Sequence, residues 1–500
     1  MKLYKKEFIF ISLIFSLTFA AYFNSFNNEF LWDDEFLIQK NTFITDSAHI
    51  PQILTSSSTA GFGNQDNFYR PTQTLYYLLI HSIAGKEARA YHIGNTLLHA
   101  LNGVLLFLLL IKLFKNSLLA FATSLLWALH PVHTEAITYI SGTADPMSFF
   151  FVLLMLITFP SGKMNWISWR YIGSLFLFSL ALLSKESVII APGLLFLIIF
   201  LKNKSLTQWK IYTPLIPFAF ISLGYLALRN SVLNFDETYQ FYKNTNIYTE
   251  NILYRTYTFL AALTEYITIL VWPQDLHMER RFPVYTSPLS LQVIVGISIV
   301  TLCALASYIL RKSKLAPFSF LWFFIAFIPM MGIIIPVNSF LLEHWLYIPS
   351  VAFILAITHL VFYFSKKQHP MVFPTIIFFI AISLTAATHH RNKDWKTPVS
   401  FYTNILAYNG GTARIHNNLA MAYSERGELD KAISHYLTAI AMSDTYHQTH
   451  YNLARVFVRK NQLDKAIIHL NRSLKISPQF THAQKLLNEI NNFLKKNTTK

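Results

Sequence analysis

The 500-residue sequence contains one cysteine, Cys303, which excludes an intrachain disulfide and a cysteine-based zinc site. Charged residues are scarce, at 13% of the chain, about half of the share usual in soluble domains. Acids are the rarer sign, with 25 against 41 lysines and arginines, so the formal net charge is +16. The basic residues collect in short loops between apolar runs, which argues against a nucleic-acid partner. A typical soluble enzyme is excluded as well.

Hydrophobic residues make up 53% of the chain, with 44 phenylalanines and 26 tyrosines. Several apolar runs approach ~20 residues, the length at which an α-helix crosses a bilayer. We therefore predict an all-α, polytopic membrane protein with about eleven spans, held in the lipid bilayer. Residues 8–21 form the first span, interpreted as an uncleaved anchor rather than a signal peptide.

The basic loops set the predicted orientation, because cytoplasmic loops are enriched in lysine and arginine. They place the N-terminus in the cytoplasm and the C-terminus outside it. Residues 252–272 are long enough to span, but a span there would put the basic cluster at 311–314 outside. We interpret 252–272 as a membrane-embedded or interfacial helix of an outer loop, and 318–337 as a span. The loops that decide the orientation contain Lys112, Lys163, Lys202, Arg311 and Lys366.

The composition changes to that of a soluble helical domain near residue 390. Asn418-Leu419-Ala420 recurs 34 residues later as Asn452-Leu453-Ala454, and Asp430-Lys431-Ala432-Ile433 recurs as Asp464-Lys465-Ala466-Ile467. That period and pattern are typical of tetratricopeptide repeats. The predicted organisation is a membrane domain (1–390), a linker and packing helix (391–412), two repeats (413–480), and a capping helix with a tail (481–500). The topology places the repeats outside the cytoplasm.

Three consecutive acids, Asp33, Asp34 and Glu35, follow the first span and Trp32. Neighbouring carboxylates repel each other, so at least one is expected to have a raised pKa and to serve as a proton acceptor. The plain alternative is a solvated loop after a helix end. The orientation puts this acidic stretch on the non-cytoplasmic face.

The outer loops gather further polar groups, which are costly near a bilayer and usually functional. A carboxylate base with several cations suits transfer to a hydroxyl, since the cations would hold a phosphate leaving group carried by a lipid. The outer-face candidates are the acids Asp33, Asp34, Glu135 and Asp145, the cations Arg70, Lys185, Arg280 and Arg281, and the histidines His130, His133, His277 and His344.

Each candidate has a structural alternative. His130 and His133 flank Pro131 and suit a helix end, and their spacing to Glu135 fits no zinc motif. Asp145 suits a helix N-terminus.

Among the cations, Lys185 is next to Glu186 and suits a simple ion pair, whereas Arg280 and Arg281 suit interfacial anchoring. No cofactor is certain from the sequence, and a divalent metal ion stays an open alternative, with no ligand set assigned.

The order of these motifs resembles that of the transmembrane and tetratricopeptide-repeat glycosyltransferases, the family of the TMTC protein O-mannosyltransferases and their bacterial relatives. The resemblance covers nearly the whole chain, although the repeat array is short. It is carried by Trp32-Asp33-Asp34, Tyr69-Arg70-Pro71, His130-Pro131-Val132-His133-Thr134-Glu135, Ser141-Gly142 to Asp145, Leu183-Ser184-Lys185-Glu186, Trp345-Leu346-Tyr347-Ile348-Pro349-Ser350 and the repeats.

The resemblance implies a GT-C membrane glycosyltransferase fold, a polyprenyl-phosphate sugar donor and an inverting transfer to a hydroxyl, with a mannose-like hexose favoured. It places the catalytic base on Asp33 or Asp34. We favour Asp33, with Asp34 orienting it, and expect Arg70, Lys185, Arg280 and Arg281 to bind the donor phosphate.

We expect a protein or peptide acceptor, recruited through the repeats, and a site on the non-cytoplasmic side. A bacterial inner membrane is favoured over endoplasmic reticulum, because the repeat array is short. Two alternatives stay open: a non-catalytic membrane scaffold that works through its repeats, and a GT-C transferase that modifies a glycan or a lipid.

Overall fold

The computed structural model describes residues 4–63, 66–160, 165–203, 209–233, 246–365 and 368–498. The regular secondary structure of these residues is all helical, with no strand, which confirms the all-α prediction. The chain divides into two compact units, Met1–Trp395 and Lys396–Lys500. Two lysines used to predict the orientation, Lys163 and Lys366, lie outside the described residues.

The first unit is built from apolar helices that share one continuous hydrophobic core. Leucine, isoleucine, phenylalanine and alanine dominate these segments, so every face can be covered by protein or lipid. The helices are α1 (Lys5–Tyr22), α2 (Pro71–Ala84), α3 (Ala88–Phe114), α4 (Ser117–Leu129), α5 (Ala144–Thr158), α6 (Trp169–Leu182), α7 (Ala191–Asn203), α8 (Ile216–Leu233), α9 (Ile252–Val271), α10 (Leu291–Ile309), α11 (Leu315–Phe327), α12 (Ser350–Ser365) and α13 (Val372–Arg391).

Five helical segments of the described chain are long and apolar enough to cross a membrane: Lys5–Ser25, Ala88–Phe114, Ile140–Thr158, Leu291–Ile309 and Val372–Arg391. Four shorter apolar helices accompany them: Ser117–Leu129, Trp169–Leu182, Leu315–Met330 and Ser350–Ser365. The chain is thus built as a multi-pass membrane protein. The number of about eleven spans stays a prediction.

The predicted span over residues 318–337 is helical only in its first half. Helix α11 ends at Phe327, a 3₁₀ turn covers Ile328–Met330, and residues 331–342 are irregular. Pro329 and Pro336 interrupt helical hydrogen bonding here. Gly332 has a φ of +68°, and a Cβ on it would lie 2.1 Å from the Tyr248 hydroxyl. The prediction of one continuous helical span over residues 318–337 was therefore wrong.

Helix α9, the predicted interfacial helix, runs beside this irregular segment. Arg255 donates a hydrogen bond from Nη1 to the Ile334 carbonyl at 3.4 Å, and the Tyr266 hydroxyl accepts one from the Leu342 amide at 3.1 Å. Arg229 and Met278, which lie before and after α9 in the chain, both line a large cavity in the first unit.

The second unit consists of helical hairpins at the predicted 34-residue period. The first hairpin consists of α15 (Ala413–Glu425) and α16 (Leu429–Met442), joined at Gly427 (φ +81°). The second consists of α17 (His447–Arg459) and α18 (Leu463–Ile476), joined at Asn461 (φ +56°), one repeat later in the sequence. Left-handed residues of this kind end a helix and allow the chain to reverse. The unit contains α14 (Pro398–Asn409), α15 (Ala413–Glu425), α16 (Leu429–Met442), α17 (His447–Arg459), α18 (Leu463–Ile476) and α19 (Thr481–Thr498).

Candidate functional site

A cavity of about 1010 Å³ lies in the first unit. One part of its wall is apolar and comes largely from the segment 328–342, whereas another part is strongly charged. Six of the predicted site residues line it, although they come from segments far apart in the chain. These six are Asp33, Arg70, Glu135, Asp145, Lys185 and His344.

The adjacent acids Asp33 and Asp34 have different surroundings. Asp33 lines the cavity, and its backbone amide donates to the Tyr139 hydroxyl at 3.1 Å. Asp34 is buried behind the wall, where its carboxylate accepts hydrogen bonds from the Leu31 amide (2.9 Å) and the Ser141 amide (2.8 Å). Trp32 has a φ of +47°, which is rare for a bulky residue, and backbone strain of this kind is frequent at functional sites.

Burial raises the pKa of Asp34 to about 7, even though the hydrogen bonds from Ser141 and Leu31 lower it. The negative charge of Asp33 contributes the smallest part of this increase. Asp34 therefore anchors the acidic stretch to the 140–143 turn, and Asp33 is the acid placed at the cavity.

The two predicted phosphate ligands that line the cavity, Arg70 and Lys185, are each paired with a carboxylate. Lys185 Nζ lies 2.6 Å from Asp145 Oδ1, with both side chains only 9% exposed. Arg70 contacts Glu186 through Nη2–Oε1 at 2.9 Å and Nε–Oε2 at 3.2 Å. Burial raises the pKa of Glu186, but the Arg70 charge and hydrogen bonds prevail and lower it to about 2. The sequence neighbours Lys185 and Glu186 thus have different partners.

Glu135 and His344 form a third pair in the cavity wall. Glu135 Oε1 lies 2.7 Å from His344 Nδ1, and Oε2 accepts the His344 backbone N–H at 3.1 Å. Behind them, Glu343 contacts Arg280 at 3.6 Å and Arg391 at 3.4 Å. Arg280 is therefore held in a buried ion network.

The other candidates lie off the described cavity wall. Arg281 is exposed. His130 accepts the Val132 amide on Nδ1 at 3.2 Å, and its Nε2 lies 3.1 Å from the Leu270 carbonyl. Burial lowers the pKa of His130 to about 4, so this side chain is neutral near pH 7 and caps the turn. His133 is buried among aromatic rings, including Trp127 and Tyr347.

A metal site receives no support from the described part of the chain, where no group of three or more histidine, cysteine, aspartate or glutamate side chains is arranged to hold a metal ion.

Several residues that shape the site were not among the predicted site residues. Gly142 is required because a Cβ there would lie 2.8 Å from the carbonyls of Glu135 and Ala136. Arg229 lines the cavity from the end of α8, and Arg391 at the end of α13 reaches Glu343. The Ser141-Gly142 pair was a usable signal for the tight turn. Nothing local in the sequence distinguished Arg229 or Arg391 from loop cations.

Residues 411–479 match the tetratricopeptide repeat family. Over 83% of its length the chain is 24% identical to protein O-mannosyl-transferase F38B6.6 of Caenorhabditis elegans, and over 85% it is 25% identical to protein O-mannosyl-transferase TMTC3 of Homo sapiens. The chain is thus similar, over most of its length, to proteins of the TMTC family.

The TMTC-like chain spans 60% and 50% of the length of these two relatives. A shorter alignment, over 30% of the chain and 17% of the relative, is 33% identical to protein O-mannosyl-transferase TMTC1 of Homo sapiens. No solved structure matches the chain significantly. The resemblance stated from the sequence motifs is thereby confirmed at the level of the family.

Proposed function

We propose that this chain is a GT-C-type membrane glycosyltransferase that moves a mannose-like hexose from a polyprenyl phosphate to a hydroxyl of a protein acceptor. Three features support the proposal: relatives named protein O-mannosyl-transferases, apolar helices suited to a membrane, and a cavity with one charged and one apolar wall. The observation that carries it is the position of Asp33 at the wall of a cavity that Arg70 and Lys185 also line.

Asp33 is the proposed general base. Its carboxylate takes the proton of the acceptor hydroxyl while the oxygen attacks C1 of the sugar. The bond from C1 to the phosphate oxygen breaks, its electron pair goes to that oxygen, and polyprenyl phosphate leaves. This single displacement inverts the configuration at C1. Asp34 holds the acidic stretch through Leu31 and Ser141 and so positions Asp33.

Arg70 and Lys185 are the proposed ligands of the donor phosphate, because both line the same cavity as Asp33. Cations with fixed geometry stabilise the charge that develops on the leaving phosphate. Arg280 and Arg281 lie off the described cavity wall and have no part in this proposal. The apolar wall, with Ile334 and Ile335, suits the first isoprene units of the donor.

The repeats are proposed to recruit the protein acceptor, and the active site is proposed to face away from the cytoplasm, in a bacterial inner membrane. A topology reporter fused after Lys500 tests the orientation. A non-cytoplasmic signal is expected, and a cytoplasmic signal would contradict the predicted number of spans.

Sugar transfer by purified Asp33→Asn tests the function. Asparagine keeps the shape of the side chain but is not a base, so the rate should fall by ~10²–10⁴-fold. Asp46→Asn is the matched control: Asp46 caps an exposed turn by accepting the Ala48 amide at 2.8 Å, and asparagine caps equally well. Transfer by Asp33→Asn at the parental rate would reject Asp33 as the base and favour a scaffold.

A further inference from the structure

Glu135 and His344 form a pair at the cavity wall that has no role in the reaction proposed above. Glu135 comes from the turn at Thr134–Ile137 after α4, and His344 from the turn at Glu343–Leu346 before α12. The two side chains meet across 209 residues of sequence, and both line the cavity.

The contacts fix the imidazole in one direction. The two carboxylate oxygens of Glu135 engage the backbone N–H and the Nδ1 of His344, so the ring has little freedom to rotate. Glu135 is 2% exposed, whereas His344 is 21% exposed. Among the described residues none hydrogen-bonds His344 Nε2, which is the ring nitrogen left to face the cavity.

The carboxylate of Glu135 faces the Nδ1 side of the His344 ring. Burial would raise the pKa of Glu135, but the neighbouring His344 and Arg391 hold it below its usual range, so Glu135 is ionised. His344 therefore shares one feature with Arg70 and Lys185, since each is a nitrogen-bearing side chain at the cavity wall with a carboxylate partner.

We propose that His344, carrying a proton on each ring nitrogen, is a catalytic residue that donates a hydrogen bond from Nε2 to a phosphate oxygen of the lipid-linked donor, with Glu135 as its positioning residue. This inference rests on the proposed function. When the bond from C1 to oxygen breaks, the phosphate changes from a monoanion to a dianion. The Nε2–H···O bond then strengthens, and an interaction stronger in the transition state than in the ground state raises the rate.

The test uses two partial mimics of histidine. His344→Asn places an amide N–H near Nδ1 and keeps the bond to Glu135, but has no group in place of Nε2. His344→Gln places an amide near Nε2. We expect His344→Asn to lower kcat by about 10²-fold, and His344→Gln to retain more activity than His344→Asn. Parental kcat for His344→Asn would overturn the proposal, and so would equal losses in both variants.

Binding of farnesyl phosphate, with farnesol as the uncharged control, is a readout that does not depend on sugar transfer. His344→Asn should weaken binding of farnesyl phosphate and leave farnesol unchanged. Equal affinity of parent and variant for farnesyl phosphate would overturn the role of His344. Absence of sugar transfer by the parent chain would instead reject the proposed function, so the two failures are distinguishable.

Glu135 is tested by combining substitutions. If Glu135 acts only through His344, Glu135→Gln should lower kcat in the parent but add little in the His344→Asn background. Full additivity of the two losses would overturn the positioning role. A general loss of fold would lower the unfolding temperature of each variant, which differential scanning fluorimetry measures in parallel.

Discussion

The two units of the chain make ion pairs of the same length in very different surroundings. In the first unit, Lys185 Nζ and Asp145 Oδ1 are 2.6 Å apart with both side chains 9% exposed. In the repeat unit, Lys431 Nζ and Glu428 Oε2 are also 2.6 Å apart, with 62% and 40% of their side chains exposed. The distance between the charged atoms therefore does not by itself decide how much an ion pair contributes to the free energy of unfolding, because water screens the exposed pair and is excluded from the buried one.

The largest effect is expected from breaking the buried pair. Lys185→Ala leaves the Asp145 carboxylate buried without its cation, which should cost about 3–5 kcal/mol of unfolding free energy. Replacing both partners, as in Lys185→Met with Asp145→Leu, should recover most of this loss. Thermal unfolding in detergent measures both variants. If Lys185→Ala were as stable as the parent, burial would not distinguish the two pairs.

The repeat unit should depend on apolar packing instead of ion pairs. Leu453 is fully buried in the core of the repeats, and Leu453→Ala should cost about 2–5 kcal/mol. Leu437→Ala, at an exposed position of α16, is the matched control and should change little. Limited proteolysis of the repeat unit in the full chain follows its unfolding. Equal susceptibility of the two variants would contradict this account.

Asp34 extends the comparison to pH. Its pKa is raised from 3.8 to about 7 in the folded chain, so the folded state binds one proton more than the unfolded state between these values. The contribution of Asp34 to the free energy of unfolding is greatest below about pH 4. It falls by about 1.4 kcal/mol per pH unit as the pH rises to about 7. Asp34→Asn should lack this slope, as unfolding temperatures between pH 5 and 8 would show. Parallel pH profiles would contradict the raised pKa.

The smallest effect is expected at the exposed pair. Lys431→Ala removes the partner of Glu428. Because both side chains of the pair are exposed to water in the parent chain, the free energy of unfolding of the repeat unit should be unchanged within error. The same proteolysis assay as for Leu453→Ala provides the measurement. A clear increase in cleavage by the protease would mean that surface ion pairs stabilise the repeats.

Much of the fold was predictable because it depends on local patterns. Apolar runs of bilayer length indicated membrane helices, and a 34-residue period indicated the repeats. The structure adds the left-handed positions Gly427 and Asn461, which are also one repeat apart. The half of the predicted span after Phe327 was not predictable from hydropathy, since the residues remain apolar while two prolines and Gly332 end the helix. Apolar side chains there line a cavity and not a membrane-spanning helix.

The site divides in the same way. The sequence by itself determined that Asp33, Arg70, Glu135, Asp145, Lys185 and His344 are unusual polar groups in loops between apolar segments, because charge near a bilayer is costly and visible in composition. Only the tertiary structure decided which of them meet: Lys185 with Asp145, Arg70 with Glu186, and Glu135 with His344. It also separated Asp33 at the cavity from Asp34 behind it. Pairing over 40 to 209 residues depends on how helices pack, and no local pattern encodes that packing.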